Sequence, residues 1–150
     1  MNRHVSFVVS IVLATALVAF AQQKPNFSGR WVVVSPPEAA GPDQTIVHTD
    51  AELKLVHDAE GGEHNLVYRL DGREQKSTMR SHDMDVVTLY RAEWKGDKLS
   101  ITSATTYSQD RKLDQVMVWS LDDKGQLIIE LTQTLTGQPT RTMRLVHRKQ

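Results

Sequence analysis

The sequence predicts an all-β protein, a single antiparallel up-and-down β-barrel of about 8–10 strands, with a β-sandwich as the alternative architecture. Three observations lead to this fold class. Apolar and polar residues alternate along segments such as 99–107 and 127–135, which is the period of a half-buried strand. Residue pairs suited to tight hairpin turns recur about every 10–14 residues. Beyond the N-terminal region, no segment has the period of an amphipathic helix.

The N-terminal region predicts a cleaved signal helix. Arg3 and His4 form a short basic start, the run 5–20 is largely apolar, and Ala19-Phe20-Ala21 provides small residues at a cleavage site. The alternative, a retained membrane anchor, is disfavoured because the run is shorter than the roughly 18 residues of a spanning helix. We therefore expect a signal peptide at 1–21, a barrel domain at 22–150, export to the periplasm or medium, and no membrane span after cleavage.

The turn signals divide the remaining chain into about ten strands. The strongest signals are Gly61-Gly62, Asp71-Gly72, Gly96-Asp97, Lys124-Gly125 and Thr136-Gly137. The predicted strands lie near 30–35, 43–49, 52–58, 63–70, 74–81, 84–94, 97–107, 112–121, 126–135 and 140–148. The Pro-rich segment 35–43 is expected to be a loop, and the polar stretch 73–85 an edge strand or an irregular excursion. Alternation alone does not decide which strand face points inward.

Composition excludes several classes of function. The chain has 18 Lys and Arg residues against 18 Asp and Glu, so it lacks the excess positive charge that nucleic-acid binding needs. It has no cysteine, which excludes disulfides, thiol catalysis and cysteine-ligated metals.

No catalytic or metal-binding motif stands out. His82-Asp83-Met84-Asp85 is the one local group of metal-ligand types, and it is interpreted as a polar turn because a strand would send adjacent residues to opposite faces. No nucleophile motif, zinc motif or nucleotide-binding loop is present. We therefore expect no enzymatic activity, no metal site and no cofactor.

The segment Phe27-Ser28-Gly29-Arg30-Trp31 is the sharpest local motif. A glycine and a tryptophan at this spacing, opening a β-meander, resemble the G-x-W start of lipocalins and fatty-acid-binding proteins. The sequence also resembles small exported bacterial proteins whose mature chains begin N-F-S-G-x-W. The resemblance implies that Trp31 plugs one end of the barrel and that Arg144 or Arg148 packs over its ring. Phe27, Gly29, Trp31 and Arg148 are thus the predicted closure residues.

The same resemblance implies a function. Fatty-acid-binding proteins carry Arg-x-Tyr on the last strand; Arg144 can be aligned with that arginine, while Val146 replaces the tyrosine. The sequence therefore predicts an exported binding protein for a small apolar or amphipathic molecule, with ligand contacts from Arg144, Tyr68, Tyr90 and Trp119. The alternatives are an interaction or structural module with a side-chain-filled barrel and, more weakly, an enzyme with dispersed catalytic residues. The oligomeric state is not predicted.

Overall fold

The structure, a computed structural model, describes residues 24–39, 41, 43–59, 62–81, 84–108 and 110–150. The predicted signal peptide at 1–21 and the pair His82-Asp83 lie outside the described residues. Within them, ten strands confirm the predicted number, and no strand bound differs from the predicted one by more than one residue. The strands are β1 (Gly29–Ser35), β2 (Gln44–His48), β3 (Glu52–Ala59), β4 (Gly62–Arg69), β5 (Gln75–Ser81), β6 (Met84–Lys95), β7 (Lys98–Ser108), β8 (Arg111–Leu121), β9 (Leu127–Leu135) and β10 (Arg141–Lys149).

The ten strands form one antiparallel sheet that closes into a nearly complete barrel. The order of strands in the sheet is β4-β3-β2-β1-β10-β9-β8-β7-β6-β5. The first strand of the chain, β1, therefore pairs with the last, β10. This pairing confirms the predicted barrel and excludes the sandwich. The exception to sequential pairing is β4 and β5, which follow each other in the chain without a hydrogen-bonded ladder. We call this gap between β4 and β5 the seam.

The connections show why the predicted loops and edges form. In the Pro-rich segment, a short 3-10 turn at Pro37–Ala39 links β1 to β2, because proline residues cannot donate to a strand ladder. The polar stretch 73–85 contains β5, an edge strand as predicted, together with the start of β6. Among the described residues, no helix is long and apolar enough to cross a membrane.

Strand register decides which face of the sheet is inside. Across β6 to β10, the partners Trp94, Leu99, Trp119, Ile129 and Leu145 form one rung of aligned residues on the inner face. The members of this rung are buried or packed against the buried core. Outward-facing apolar residues are left partly exposed, at 38 % for Val34, 48 % for Val47 and 41 % for Val116. The inner face therefore holds the core.

The barrel has two unlike ends. At one end, β1 begins and β10 ends, and the β2–β3, β4–β5, β6–β7 and β8–β9 turns lie there. This end is filled by side chains, and we call it the packed end. Its fully buried large residues are Phe27, Trp31, Ile46, Leu53, Leu99, Ile101, Trp119 and Leu127. The opposite end, with the β7–β8 and β9–β10 turns, is called the open end. Burying about eight large apolar side chains gives a chain without disulfides its main stabilisation.

Candidate functional site

The packed end is sealed by Phe27, which precedes β1. Its side chain has no solvent exposure. Its ring stacks on Trp94 (centroids 5.9 Å apart, planes at 10°) and on His48 (5.5 Å, 17°), and meets Trp119 edge-on (5.8 Å, 72°). The carbonyl oxygen of Phe27 also accepts a hydrogen bond of 2.8 Å from Trp31 Nε1. The N-terminal segment thus supplies an aromatic stopper that satisfies the buried indole N–H.

The residue over Trp31 differs from the predicted one. Trp31 is 2 % exposed and lies against the last strand, but the cation on its ring is Lys149, with Nζ 5.7 Å from the ring centroid. Register gives the reason. Lys149 is the direct partner of Trp31, whereas Arg148 is opposite Val32 and belongs to the other face. The predictions that Arg148 or Arg144 covers Trp31 were therefore wrong.

Gly29 makes this close approach of lysine and tryptophan feasible. Its φ is +141°, a backbone conformation that residues with a side chain rarely adopt. A Cβ added at Gly29 would collide with the side chain of Lys149. The glycine leaves the space through which the lysine stem crosses the end of β1.

A rung of polar residues crosses the inside of the barrel above the packed end. The register aligns its members on six successive strands: Gln75, Tyr90, Ser103, Gln115, Gln133 and Arg141. We call this set the polar belt. Ser103 Oγ donates to Gln115 Oε1 at 3.5 Å, and Gln115 Nε2 donates to Gln133 Oε1 at 3.3 Å. The belt therefore provides hydrogen-bonding groups in the barrel interior, where buried polar atoms need partners.

A cavity of about 230 Å³ lies between the polar belt and the rim of the open end. Its lining consists of Tyr107, Arg111, Leu113, Gln133, Leu135, Gln138, Pro139 and Arg141. Arg111 lies 5.6 Å from the centroid of the Tyr107 ring. Neither Arg111 nor Arg141 forms an ion pair within the part of the chain that the structure describes. The cavity thus combines apolar walls with two cations for which the described residues supply no carboxylate partner.

A larger groove, of about 460 Å³, runs along the outer face of β6–β8. Leu89 and Val116 provide its apolar surface, and they are 36 % and 41 % exposed. Glu93 and Asp114 on its borders already pair with Lys95 and Lys112, at 3.4 and 2.9 Å. The inner cavity is the better candidate site despite its smaller volume, because concave sites with convergent polar groups bind small molecules.

The structure separates the predicted ligand-binding residues. Arg144 faces outward, exposed and opposite Glu130, so it does not line the interior as predicted. Trp119 is 1 % exposed in the packed end. Tyr68 and Tyr90 meet edge-on across the seam with centroids 5.3 Å apart, and Tyr90 belongs to the polar belt. None of the four lines the cavity at the open end.

The seam is bridged by side chains where a ladder would otherwise run. Arg69 N donates to Gln75 Oε1 at 3.0 Å, and Gln75 Nε2 donates to the carbonyl oxygen of Arg69 at 3.3 Å. The hydroxyl of Tyr90 donates to the carbonyl oxygen of Val67 at 3.4 Å. The amide of Gln75 therefore imitates one backbone pair between β4 and β5.

Burial shifts the pKa of three groups on the inner face. Burial, with a smaller contribution from Tyr90, raises the pKa of the Tyr68 phenol to about 12. Burial lowers the pKa of His147, partly offset by a hydrogen bond with the backbone of Leu127. Burial likewise lowers the pKa of His48, partly offset by Asp50. Each shift favours the neutral form of the group concerned.

Metal binding finds no support within the described residues, where no three His, Cys, Asp or Glu side chains come together. None of the eight residues that line the cavity was predicted from the sequence. Five of them lie on β8, β9 and β10: Arg111, Leu113, Gln133, Leu135 and Arg141. These five residues are at odd-numbered positions of their strands, and they include both polar and apolar types. The signal available in the sequence was this mixture of types along one face of each strand. That signal needs the strand register before it points to a site.

No protein-family model matches the sequence, and no curated protein matches it. Among solved structures, secretory abundant heat soluble protein 4 from Ramazzottius varieornatus is similar, with 12 % sequence identity and a TM-score of 0.48. The match covers 82 % of this chain and 94 % of that chain. A similarity of this degree carries no argument about function. The nearly closed barrel is established by the pairing of the ten strands themselves, and it is the architecture that the G-x-W motif led us to expect.

Proposed function

We propose that this protein is an exported, non-enzymatic binding protein that holds a small amphipathic molecule at the open end of its barrel. The observation that carries the proposal is the cavity of about 230 Å³ on the inner face, which the described residues enclose at the end opposite the packed end. Leu113 and Leu135 supply apolar walls, and Gln133 and Arg141 of the polar belt form the inner end. Such a combination suits a molecule with an apolar body and polar groups.

The charges of the cavity favour a ligand with an acidic group. Arg111 and Arg141 both line it, and neither has a carboxylate partner within the described chain. Guanidinium groups bind carboxylates and phosphates through paired hydrogen bonds. The guanidinium carbon of Arg111 lies 5.6 Å from the centroid of the Tyr107 ring, so cation–π attraction holds this charge at the cavity wall.

The second candidate function is an interaction or structural module whose barrel is filled by its own side chains. The size of the cavity favours it, because about 230 Å³ is below the roughly 300 Å³ at which pockets for drug-sized ligands begin. The solid packed end favours it too. A ligand held in the remaining space must therefore be small.

Binding can be tested by filling the cavity from within. We expect native mass spectrometry of protein purified from its own compartment to show a bound small molecule. Leu135→Trp should remove that molecule, because the indole would occupy the cavity. Thr134→Trp is the matched control, since Thr134 neighbours Leu135 on the outer face and should leave binding intact. An absence of any adduct in the unaltered protein would favour the interaction module.

Export is tested separately. If residues 1–21 are a signal peptide, the intact mass of the exported product should correspond to a chain beginning at Gln22. A product that retains Met1 would contradict the proposal of a cleaved signal, whatever the result of the binding experiment.

A further inference from the structure

The five residues before β1, Lys24–Ser28, cross the packed end, and we call them the strap. Phe27 anchors the strap by inserting its fully buried ring among aromatic side chains of the core. Lys24, at the start of the strap, is exposed, and its Nζ lies 5.4 Å from the centroid of the Trp94 ring. Release of the strap would therefore expose the aromatic core at the end opposite the cavity.

His48, the last residue of β2, holds two consecutive strap residues. Phe27 N donates to His48 Nδ1 at 3.1 Å. Ser28 Oγ accepts from His48 N at 3.0 Å and donates to the carbonyl oxygen of His48 at 3.2 Å. The imidazole also stacks on the ring of Phe27 and on that of Trp94, with centroids 5.5 and 5.8 Å away. The strap is thus docked on one residue: the main chain of His48 holds Ser28, and its titratable side chain holds Phe27.

The hydrogen bond from Phe27 requires a neutral imidazole. Nδ1 can accept a hydrogen bond from an amide N–H only when the proton of the neutral ring is on Nε2. Protonation would place an N–H at Nδ1 directly opposite the N–H of Phe27, so that two donors would face each other. It would also create a cation at a partly buried position, and the loss of solvation there disfavours charge. Both effects oppose the docked strap.

The charged groups around His48 do not cancel these effects. Asp50, in the turn after β2, favours the imidazolium, but burial outweighs it and lowers the pKa of His48. From the strap itself, Lys24 brings a positive charge to the Trp94 ring on which His48 stacks. The register partner from β3 is Leu53, which is uncharged. The environment therefore favours the neutral form.

We propose that the strap is a pH-sensitive plug: protonation of His48 in a mildly acidic medium releases Phe27 and opens the packed end of the barrel. The proposal is independent of ligand binding at the open end. For a protein outside the cytoplasm, it would couple the exposure of an aromatic surface to the acidity of the medium.

Hydrogen exchange at the Phe27 amide tests the proposal in the full-length exported protein. Between about pH 7.5 and about pH 5, we expect its protection factor, corrected for intrinsic exchange, to fall by about tenfold or more. His48→Asn should abolish this fall, because Asn Oδ1 can accept the Phe27 N–H without titrating. His147→Leu is the control; it removes a different buried histidine and should preserve the fall.

An unchanged protection factor in the unaltered protein would overturn the proposal, and so would a fall that persists in His48→Asn. If that variant does not fold, the unaltered protein still allows a decision through the nitrogen resonances of His48. At neutral pH they should report a proton on Nε2, and their titration midpoint should coincide with the loss of Phe27 protection. Titration of His48 without any change at Phe27 would contradict the plug.

Discussion

Lys149 lies over the indole ring of Trp31, with its Nζ 5.7 Å from the ring centroid. The two residues are direct partners in the β1–β10 ladder, which joins the first strand to the last. Trp31 is at the same time a core residue, only 2 % exposed. The contact therefore links closure of the barrel to packing of its interior.

The first prediction concerns this pair. Trp31→Ala should lower the free energy of unfolding by about 3–5 kcal/mol, because it leaves a cavity in the packed end. Lys149→Ala should cost less, about 0.5–1 kcal/mol, since the cation is exposed. In the double variant the two losses should not add, because contacting residues are coupled. Denaturant unfolding measures all three values.

Arg148→Ala is the matched control for Lys149→Ala. Arg148 neighbours Lys149 but is opposite Val32 on the outer face, so its loss should change stability by no more than about 0.5 kcal/mol. If the losses in unfolding free energy from Trp31→Ala and Lys149→Ala simply added, the contact between the lysine and the indole ring would not contribute to stability.

The second prediction concerns Gly29. Gly29→Ala should destabilise the protein by about 1–3 kcal/mol, because φ at this position is +141° and the new methyl group would displace Lys149. Gly41→Ala is the control, since a Cβ there would meet only the carbonyl oxygen of Ala39, 4.0 Å away. Thermal or denaturant unfolding provides the comparison. Equal stability of the two variants would refute the special role of Gly29.

The third prediction concerns the seam. Gln75→Ala removes both hydrogen bonds to the backbone of Arg69, and should cost about 0.5–1.5 kcal/mol for each bond. The loss should be local: exchange of the Arg69 amide should accelerate more than that of amides in β8. Lys76→Ala, a change at the exposed neighbour, should leave Arg69 protected. Unaltered exchange at Arg69 in Gln75→Ala would mean that the seam has other support.

The fourth prediction concerns pH and His147. Its folded-state pKa lies below the usual 6.5 because of burial, so the unfolded chain takes up the proton first as the pH falls. Stability should be full above about pH 6.5 and decline below it, until the folded-state pKa is reached. His147→Leu should lose less stability than the unaltered protein between about pH 7 and about pH 5.

At neutral pH, His147→Leu should cost little. Nδ1 of His147 is buried without a hydrogen-bond partner among the described residues. An apolar replacement removes that unsatisfied atom, which offsets the loss of the hydrogen bond with the backbone of Leu127. Unfolding curves at several pH values supply both comparisons. An identical pH profile for the two proteins would assign the acid sensitivity to other groups, among them His48.

The strands and turns could be predicted because their causes are local. Alternation of period two along 99–107 or 127–135 reflects the geometry of one strand, and a glycine such as Gly125, at φ +72°, marks a turn by its own backbone freedom. Even the edge strand β5 was among the expectations. The sequence thus determined the strand content, the meander order and the aromatic segment with which the barrel domain begins.

The site could not be predicted because its cause is the pairing of distant strands. A shift of one residue in register exchanges the two faces of a strand, and both faces here carry apolar residues. Only the tertiary structure placed Lys149 on Trp31 while turning Arg144 outward, and only it aligned Gln133 with Arg141 below a cavity. Register depends on contacts between residues far apart in the chain, and no local pattern contains that information.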